Sequence, residues 1–444
     1  MPTTNDLSPS LLLTLVFAGA LAVQLLVQVW LNTRQVRHVA QHRNAVPAMF
    51  TRHITLAAHH KAADYTLAKA RLGLVHMAWG TAILLGWTLL GGLNALNSAL
   101  LQVLAPGMLQ QLVLLAAFAL ISGLLNVPLS LYQTFVLEQR FGFNQSTPAL
   151  WLGDLLKSTL LGAVLGLPIA AIILWFMAAA GSLWWLWAWC IWSAFQLLLM
   201  WIFPSFIAPL FNRFEPLNDA TLQTRVTALM QRCGFAAKGL FVMDGSRRSA
   251  HANAYFTGFG ASKRVVFYDT LLQQLNADEV EAVLAHELGH FKHRHITKRM
   301  WGIFATSLLG FALLGWLSQQ LWFFTGLGVQ PSAALSFGAS GHEDHAVALL
   351  LFLLAMPVLT FWAGPCMAYF SRRDEFEADA YAMQQAQGSA LASALLKLYK
   401  DNASTLTPDP VYARYYYSHP PAVERLARMP APAASDALPD GGAA

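Results

Sequence analysis

At 444 residues the chain is 56% hydrophobic and only 11% charged, less than half the charged share of an ordinary soluble domain. A wholly soluble protein is therefore excluded, because the apolar residues fall in runs long enough to cross a bilayer. The formal charge of +5 does not indicate nucleic-acid binding, since the basic residues follow a topological rule, and the widely separated Cys190, Cys233 and Cys366 give neither a disulfide framework nor a thiolate metal site.

In chain order, the spans are Leu11–Trp30, Leu74–Leu93, Leu112–Leu131, Thr159–Ala178, Leu183–Phe203, Trp301–Trp322 and Ala346–Phe370. The first lacks a basic flank and a small-residue cleavage site, so it reads as a retained span rather than a signal peptide. Pro168, Pro357 and Pro365 predict kinks, tolerable where neighbouring helices cover the freed backbone groups. All 28 Lys and Arg residues lie in 32–73, 132–158, 204–300 and 371–444. This partition predicts an outside N-terminus and places those four segments in the cytoplasm. The basic charge is then mainly topological, with some attraction for anionic lipid heads. Segment 32–73 carries His38, His42, His53, His59 and His60, read as incidental histidines on a helical loop.

The chain divides into a five-span region 1–203, a polar insert 204–300, a two-span hairpin 301–370, a polar part 371–429 and a tail 430–444 without periodicity, expected to be disordered. Within the insert, Thr221–Cys233 reads as an amphipathic helix. Leu240–Met243, Ala254–Phe259 and Val265–Tyr268 read as short strands. After the hairpin come helices at about Arg373–Gln387 and Ala390–Lys400, then a Tyr/His/Pro stretch at 412–421.

The stretch Asn276–His295, NADEVEAVLAHELGHFKHRH, carries the chemistry. Asn276 and Glu279 form a capping-box pattern, and Val280, Val283, Leu284 and Leu288 give an apolar stripe at helical spacing. His286 and His290 lie four apart on one helix face and can chelate one metal ion, zinc by type. Glu287 between them can take a proton from a bound water. A catalytic zinc has three protein ligands and an open position, so a third ligand is needed. The hairpin returns to the same membrane face. A straight-helix estimate puts His290 about 16 Å above Trp301 and Glu375 about 7 Å beyond Phe370. Glu375 can be the third ligand, and Asp379, one turn on, can orient a ligand histidine. The bland alternative is an acidic, solvated helix face, the preferred reading for Glu377.

With these motifs stand Phe135–Asn144 (FVLEQRFGFN), Pro209–Leu217 (PLFNRFEPL), His251–Gly258 (HANAYFTG), Arg373–Asp379 (RDEFEAD), Tyr417–Pro421 (YSHPP) and Glu424–Leu426. Together, and in this order over most of the chain, they resemble the type I CAAX prenyl protease family of integral-membrane zinc endopeptidases. The shorter HtpX-like proteases share the metal motifs but have fewer spans. The resemblance implies a mainly α, multi-pass fold in which seven transmembrane helices enclose an intramembrane chamber, capped by a cytoplasmic α+β metalloprotease domain. It implies zinc ligands His286, His290 and Glu375, with Glu287 as general base. It implies that Asn253 and Ala254 pair with substrate backbone, that His419 faces the scissile carbonyl, and that Arg425 faces a substrate carboxylate. Ala252 stands where the family often has Ser, and Asp374 where it often has an aromatic residue.

The reading is a zinc metalloendopeptidase at the cytoplasmic membrane face. Its substrate is a peptide or protein, either a prenylated C-terminus or a misfolded membrane protein. The short loops and the Ala-, Leu- and Trp-rich spans point to a bacterial inner membrane and so to quality control. The alternative is a non-catalytic zinc-binding scaffold or transporter. Transporters place ionisable residues inside their spans, and here the spans hold few beyond His76 and Lys157 near their ends.

Overall fold

The computed structural model describes residues 8–235, 239–257, 264–331 and 344–431. The expected tail from Pro430, nearly all of it beyond residue 431, and the end of the 254–259 strand lie outside these residues. The molecule is mainly helical. Five helices are long and apolar enough to cross a membrane, or seven if each of two bent pairs counts as one span.

The first span sits on helix Pro9–Gln41, 33 residues long. At 1.5 Å per residue that is about 50 Å, well beyond the ~30 Å hydrocarbon core. Its far end therefore leaves the membrane, and that end carries the basic residues. There Arg34 donates to both Asp409 carboxylate oxygens, at 3.2 and 2.9 Å, and the Asp409 amide donates to Gln35 Oε1 at 2.7 Å. The expected 32–73 loop is thus mostly helix, since helix Leu56–Trp87 begins well before its apolar part. That second span bends by 46° into Gly92–Val103. Helices Met108–Tyr132, Pro148–Ala179 and Trp184–Ile202 follow. Pro168 lies within an unbroken helix. The hairpin runs from His295–Leu317 to His345–Leu359, and a 48° bend leads into Gly364–Gln385. Pro357 and Pro365 flank that bend, as the lost backbone donors require. Bulky side chains of the spans pack into one buried cluster around Phe17, Leu114, Leu174, Phe324 and Leu351.

The polar insert folds into a small sheet with its own core. The strands are β1 (Phe214–Pro216), β2 (Leu240–Met243), β3 (Ala254–Thr257) and β4 (Arg264–Tyr268). Their order is β1-β2-β4-β3; β2 and β4 are parallel and the outer pairs antiparallel. Strand β1 is absent from the sequence reading, because three residues ending in Pro carry no alternation to detect. Strand β3 is an edge strand: among the described residues no strand pairs with its outer side. Helix Ala220–Arg232 lies within a residue of its expected position. The FVLEQRFGFN segment docks here: Phe143 stacks on His251 with ring centroids 4.3 Å apart, and Asn144 bridges to Ser249. Arg248 ties this unit to the spans through paired bonds to Asp154 at 2.8 and 3.0 Å.

The helix expected over the H-E-x-x-H stretch runs Ala277–Lys292 with both capping-box bonds present. It packs closely against Gly364–Gln385, and Gly289 lies at that contact. A Cβ there would meet the Ala378 Cα at 2.9 Å and its carbonyl oxygen at 3.0 Å. Backbone cannot give way as a side-chain tip can. Gly289→Ala is therefore expected to cost about 1–3 kcal/mol by overpacking, seen as a lower midpoint of thermal unfolding, with Gly289→Leu lower still.

Candidate active site

The tight contact at Gly289 decides what the two helices can share. His286 and His290 project from the first, Glu375 and Asp379 from the second. His286 Nε2 and His290 Nε2 stand 3.3 Å apart. Glu375 Oε1 lies 3.3 Å from His290 Nε2, and Oε2 lies 3.5 Å from His286 Nε2. These three residues can hold a metal ion. Ligand atoms about 2.1 Å from a tetrahedral ion stand about 3.4 Å from one another, which is the spacing found. Glu375 is 3% exposed, and its Oε2 makes no hydrogen bond among the described residues. A buried carboxylate oxygen in that state calls for a cation.

Electrostatics point the same way. Burial alone would lower the His286 pKa, but Asp379 and Glu375 outweigh it and hold the ring at about 9. The carboxylates thus draw a proton onto the imidazole where a cation would otherwise stand, and protons would compete with a metal. Asp379 Oδ1 sits 2.8 Å from His286 Nδ1, so the nitrogen that could bind a metal in place of a proton is Nε2, which faces Glu375. Glu287 lines the adjoining cleft, and burial pushes its carboxyl above the usual range, toward what a base near neutral pH needs.

The cleft, about 350 Å³, is also lined by Asn253, Ala254, His419 and Arg425. The structure thus gathers every site residue of the sequence reading into one place. Edge strand β3 runs along it, and the Asn253 carbonyl accepts from the Tyr268 amide at 3.0 Å, which extends the hairpin inward. His419 Nε2 lies 3.6 Å from Glu375 Oε1, with Nδ1 3.0 Å from Ser418 Oγ. Arg425 differs most from expectation. It is 5% exposed and grips Asp379 with Nε at 2.8 Å and Nη2 at 2.5 Å. Only Nη1, 3.8 Å from Glu375 Oε2, is left uncommitted by these bonds.

The straight-helix estimate for His290 needs correction. The chain is not continuous helix from His290 to Trp301; it breaks between Lys292 and His295, with Arg294 at φ 55. The sequence reading also missed two residues beside the site. His295 lies 3.0 Å from the His290 ring, and Glu377, expected to be merely solvated, reaches His295 at 3.2 Å. The repeated histidine in HFKHRH was the available signal for His295.

Comparison with known proteins decides the family. Residues 35–213 match the CAAX prenyl protease N-terminal region, described as five membrane helices, and residues 216–433 match peptidase family M48. The chain belongs to the CAAX prenyl protease 1 family of M48 peptidases. Its relatives include CAAX prenyl protease 1 of Saccharomyces cerevisiae, 32% identical over 95% of this chain and 96% of that one. A homologue from Arabidopsis thaliana is 40% identical over 69% of this chain and 70% of its own, and a human one 33% identical over 71% and 73%. The crystal structure of S. mikatae Ste24p superimposes with a TM-score of 0.87 at 31% identity, covering 94% of this chain and 99% of that one. The chain is thus an integral-membrane metallopeptidase acting on peptide or protein substrates. These relatives are from plants, fungi and animals and lend no support to a bacterial source.

Removing Asp379 would leave Arg425 buried without its partner and His286 without its orienting acceptor. Asp379→Ala is expected to cost about 3–5 kcal/mol in stability and to weaken metal binding about 10- to 100-fold. Thermal unfolding and chelator competition measure the two effects separately.

Proposed function

We propose that this peptidase is a zinc endopeptidase of the CAAX type, cleaving near the C-terminus of a prenylated protein at the cytoplasmic membrane face. One observation carries the reading. Two imidazole nitrogens and a buried carboxylate, one of whose oxygens has no hydrogen bond among the described residues, converge at metal-ligand spacing beside Glu287 and an edge strand. A two-His, one-carboxylate donor set is that of a catalytic zinc with an open position. Residues His286, His290 and Glu375 would hold it. When bound, zinc lowers the pKa of a coordinated water and polarises a carbonyl.

The chain's own residues would do the rest. Glu287, its carboxyl raised by burial, takes the water proton and delivers it to the leaving amine. Substrate adds as a strand along the free edge at Asn253 and Ala254, so that backbone hydrogen bonds set the register. His419 offers a donor to the developing oxyanion. Asp379 fixes the His286 ring, and Arg425 fixes Asp379 while keeping Nη1 for a substrate oxygen. The prenylated substrate is favoured by the relatives, which are CAAX prenyl proteases by name. The quality-control role lost its motive with the bacterial source. The cytoplasmic side is supported by the partition of all 28 basic residues.

Two experiments test this. Glu287→Gln is expected to keep a full complement of zinc and to lose cleavage by at least 10²-fold; a variant that still cleaves removes Glu287 as the base. A farnesylated C-terminal peptide should be cleaved faster than its unmodified twin by the purified protein in lipid. Equal rates would point instead to general proteolysis at the membrane.

A further inference from the structure

We propose that His295 is a positioning residue for His290, holding the tautomer and angle of that ring through a hydrogen bond between two imidazoles. The inference rests on the reading of His290 as a zinc ligand. His290 Nε2 faces His286 and Glu375, 3.3 Å from each. Its other nitrogen, Nδ1, lies 3.0 Å from His295 Nδ1. His295 is 1% exposed, and its own Nε2 lies 3.2 Å from Glu377 Oε2 and 3.6 Å from Asp374 Oδ1.

With both rings neutral, one arrangement of protons serves the contact between them and the carboxylates behind. His290 Nδ1–H donates to His295 Nδ1, and His295 Nε2–H donates to the carboxylates. The Nε2 lone pair of His290 is left facing Glu375 and His286. His286 is served by Asp379 directly; His290 is served by an imidazole with carboxylates behind it.

The backbone bends to make this contact. On a continuous helix, residues five apart point roughly 140° away from each other. The chain instead ends one helix at Lys292 and begins the next at His295. Between them Arg294 takes φ 55, a left-handed conformation uncommon outside glycine. The consequence of that local strain is a ring turned back onto His290.

A second cation among His295, Asp374 and Glu377 is the competing explanation. Asp374 already carries Arg299 at 3.1 Å, and Glu377 carries Arg373 at 3.1 Å. The group is charge-balanced without a metal.

The test is zinc affinity of the full chain in detergent, by competition with a chromogenic chelator, with zinc stoichiometry alongside. His295→Phe fills the space without an acceptor and should weaken zinc about 10- to 100-fold. His295→Asn, which returns an acceptor oxygen near the Nδ1 position, should recover most of the loss. Unchanged affinity in His295→Phe, or equal losses in both variants, overturns the proposal. So does a wild-type stoichiometry of two zinc ions that falls to one in His295→Phe. Should His295→Phe fail to fold, the Asp374→Ala/Glu377→Ala double variant, at part-exposed positions, carries the same test: weaker zinc supports the proposal and unchanged zinc overturns it. His290→Ala separates the underlying reading, since wild-type affinity there would remove His290 as a ligand whatever His295 does.

Discussion

The site depends on the close contact of two helices at Gly289, where a Cβ would meet the Ala378 Cα at 2.9 Å and its carbonyl oxygen at 3.0 Å. Helix faces separated by ordinary side chains stand 8–10 Å apart at their axes. Here the absence of a Cβ lets the chain carrying Glu375 come near enough for its carboxylate to meet both imidazoles within 3.5 Å. Metal chelation by side chains from two helices is intolerant of slack, because ligand distances vary by only a few tenths of an ångström. The glycine inside H-E-L-G-H is therefore part of the site's geometry.

That contact concentrates charge in a buried place. Glu287, Glu375 and Asp379 bring acidic groups into it, and the described residues supply Arg425 as the fixed countercharge. Isolated buried carboxylates would be costly. The network answers this in layers. Asp379 is shared between Arg425 and His286, whereas Glu375 keeps an oxygen without a hydrogen bond. The remaining imbalance is what a divalent cation would cancel. Affinity for the ion and integrity of the fold are consequently coupled.

Much of this was legible in the sequence, and the physical reason is periodicity. Apolar runs of about 20 residues announce spans, and histidines four apart announce a shared helix face. Glu375 and Asp379 could be placed because the hairpin forces the chain back to the membrane face it left. What was not legible depends on breaks in periodicity. The 46° bend that splits the second span leaves the apolar content unchanged and so leaves no trace in a hydropathy reading, whereas Pro357 and Pro365 announced the 48° bend in the seventh. The reversal at Arg294, which delivers His295 to His290, is a single residue in an unusual conformation, carried by a side chain that does not advertise it. Arg425 was placed toward a substrate carboxylate by the resemblance; that Asp379, 46 residues back in the chain, would hold two of its nitrogens in a buried place has no local signal.

The same helix cap that marks the start of the helix carrying His286 and His290 also reaches the edge strand β3. Glu279 closes the capping box by accepting from the Asn276 amide at 2.8 Å, yet it is 1% exposed. Its other oxygen accepts from Ser393 at 2.5 Å and pairs with Lys397 at 2.6 Å, both on helix Gly388–Asp401. That helix ends at Asn402, whose Oδ1 accepts from the Ala252 amide at 3.2 Å and lies 3.1 Å from His251 Nδ1. Ala252 leads directly into Asn253, Ala254 and the free edge of β3. A local signal for starting a helix is thereby extended, through one buried carboxylate and one amide, to the backbone along which a peptide would add. Because each link is a hydrogen bond from a charged or fixed group rather than loose apolar contact, edge strand and metal-binding helix are held in a common frame, which a protease needs if strand register is to decide which bond meets the ion.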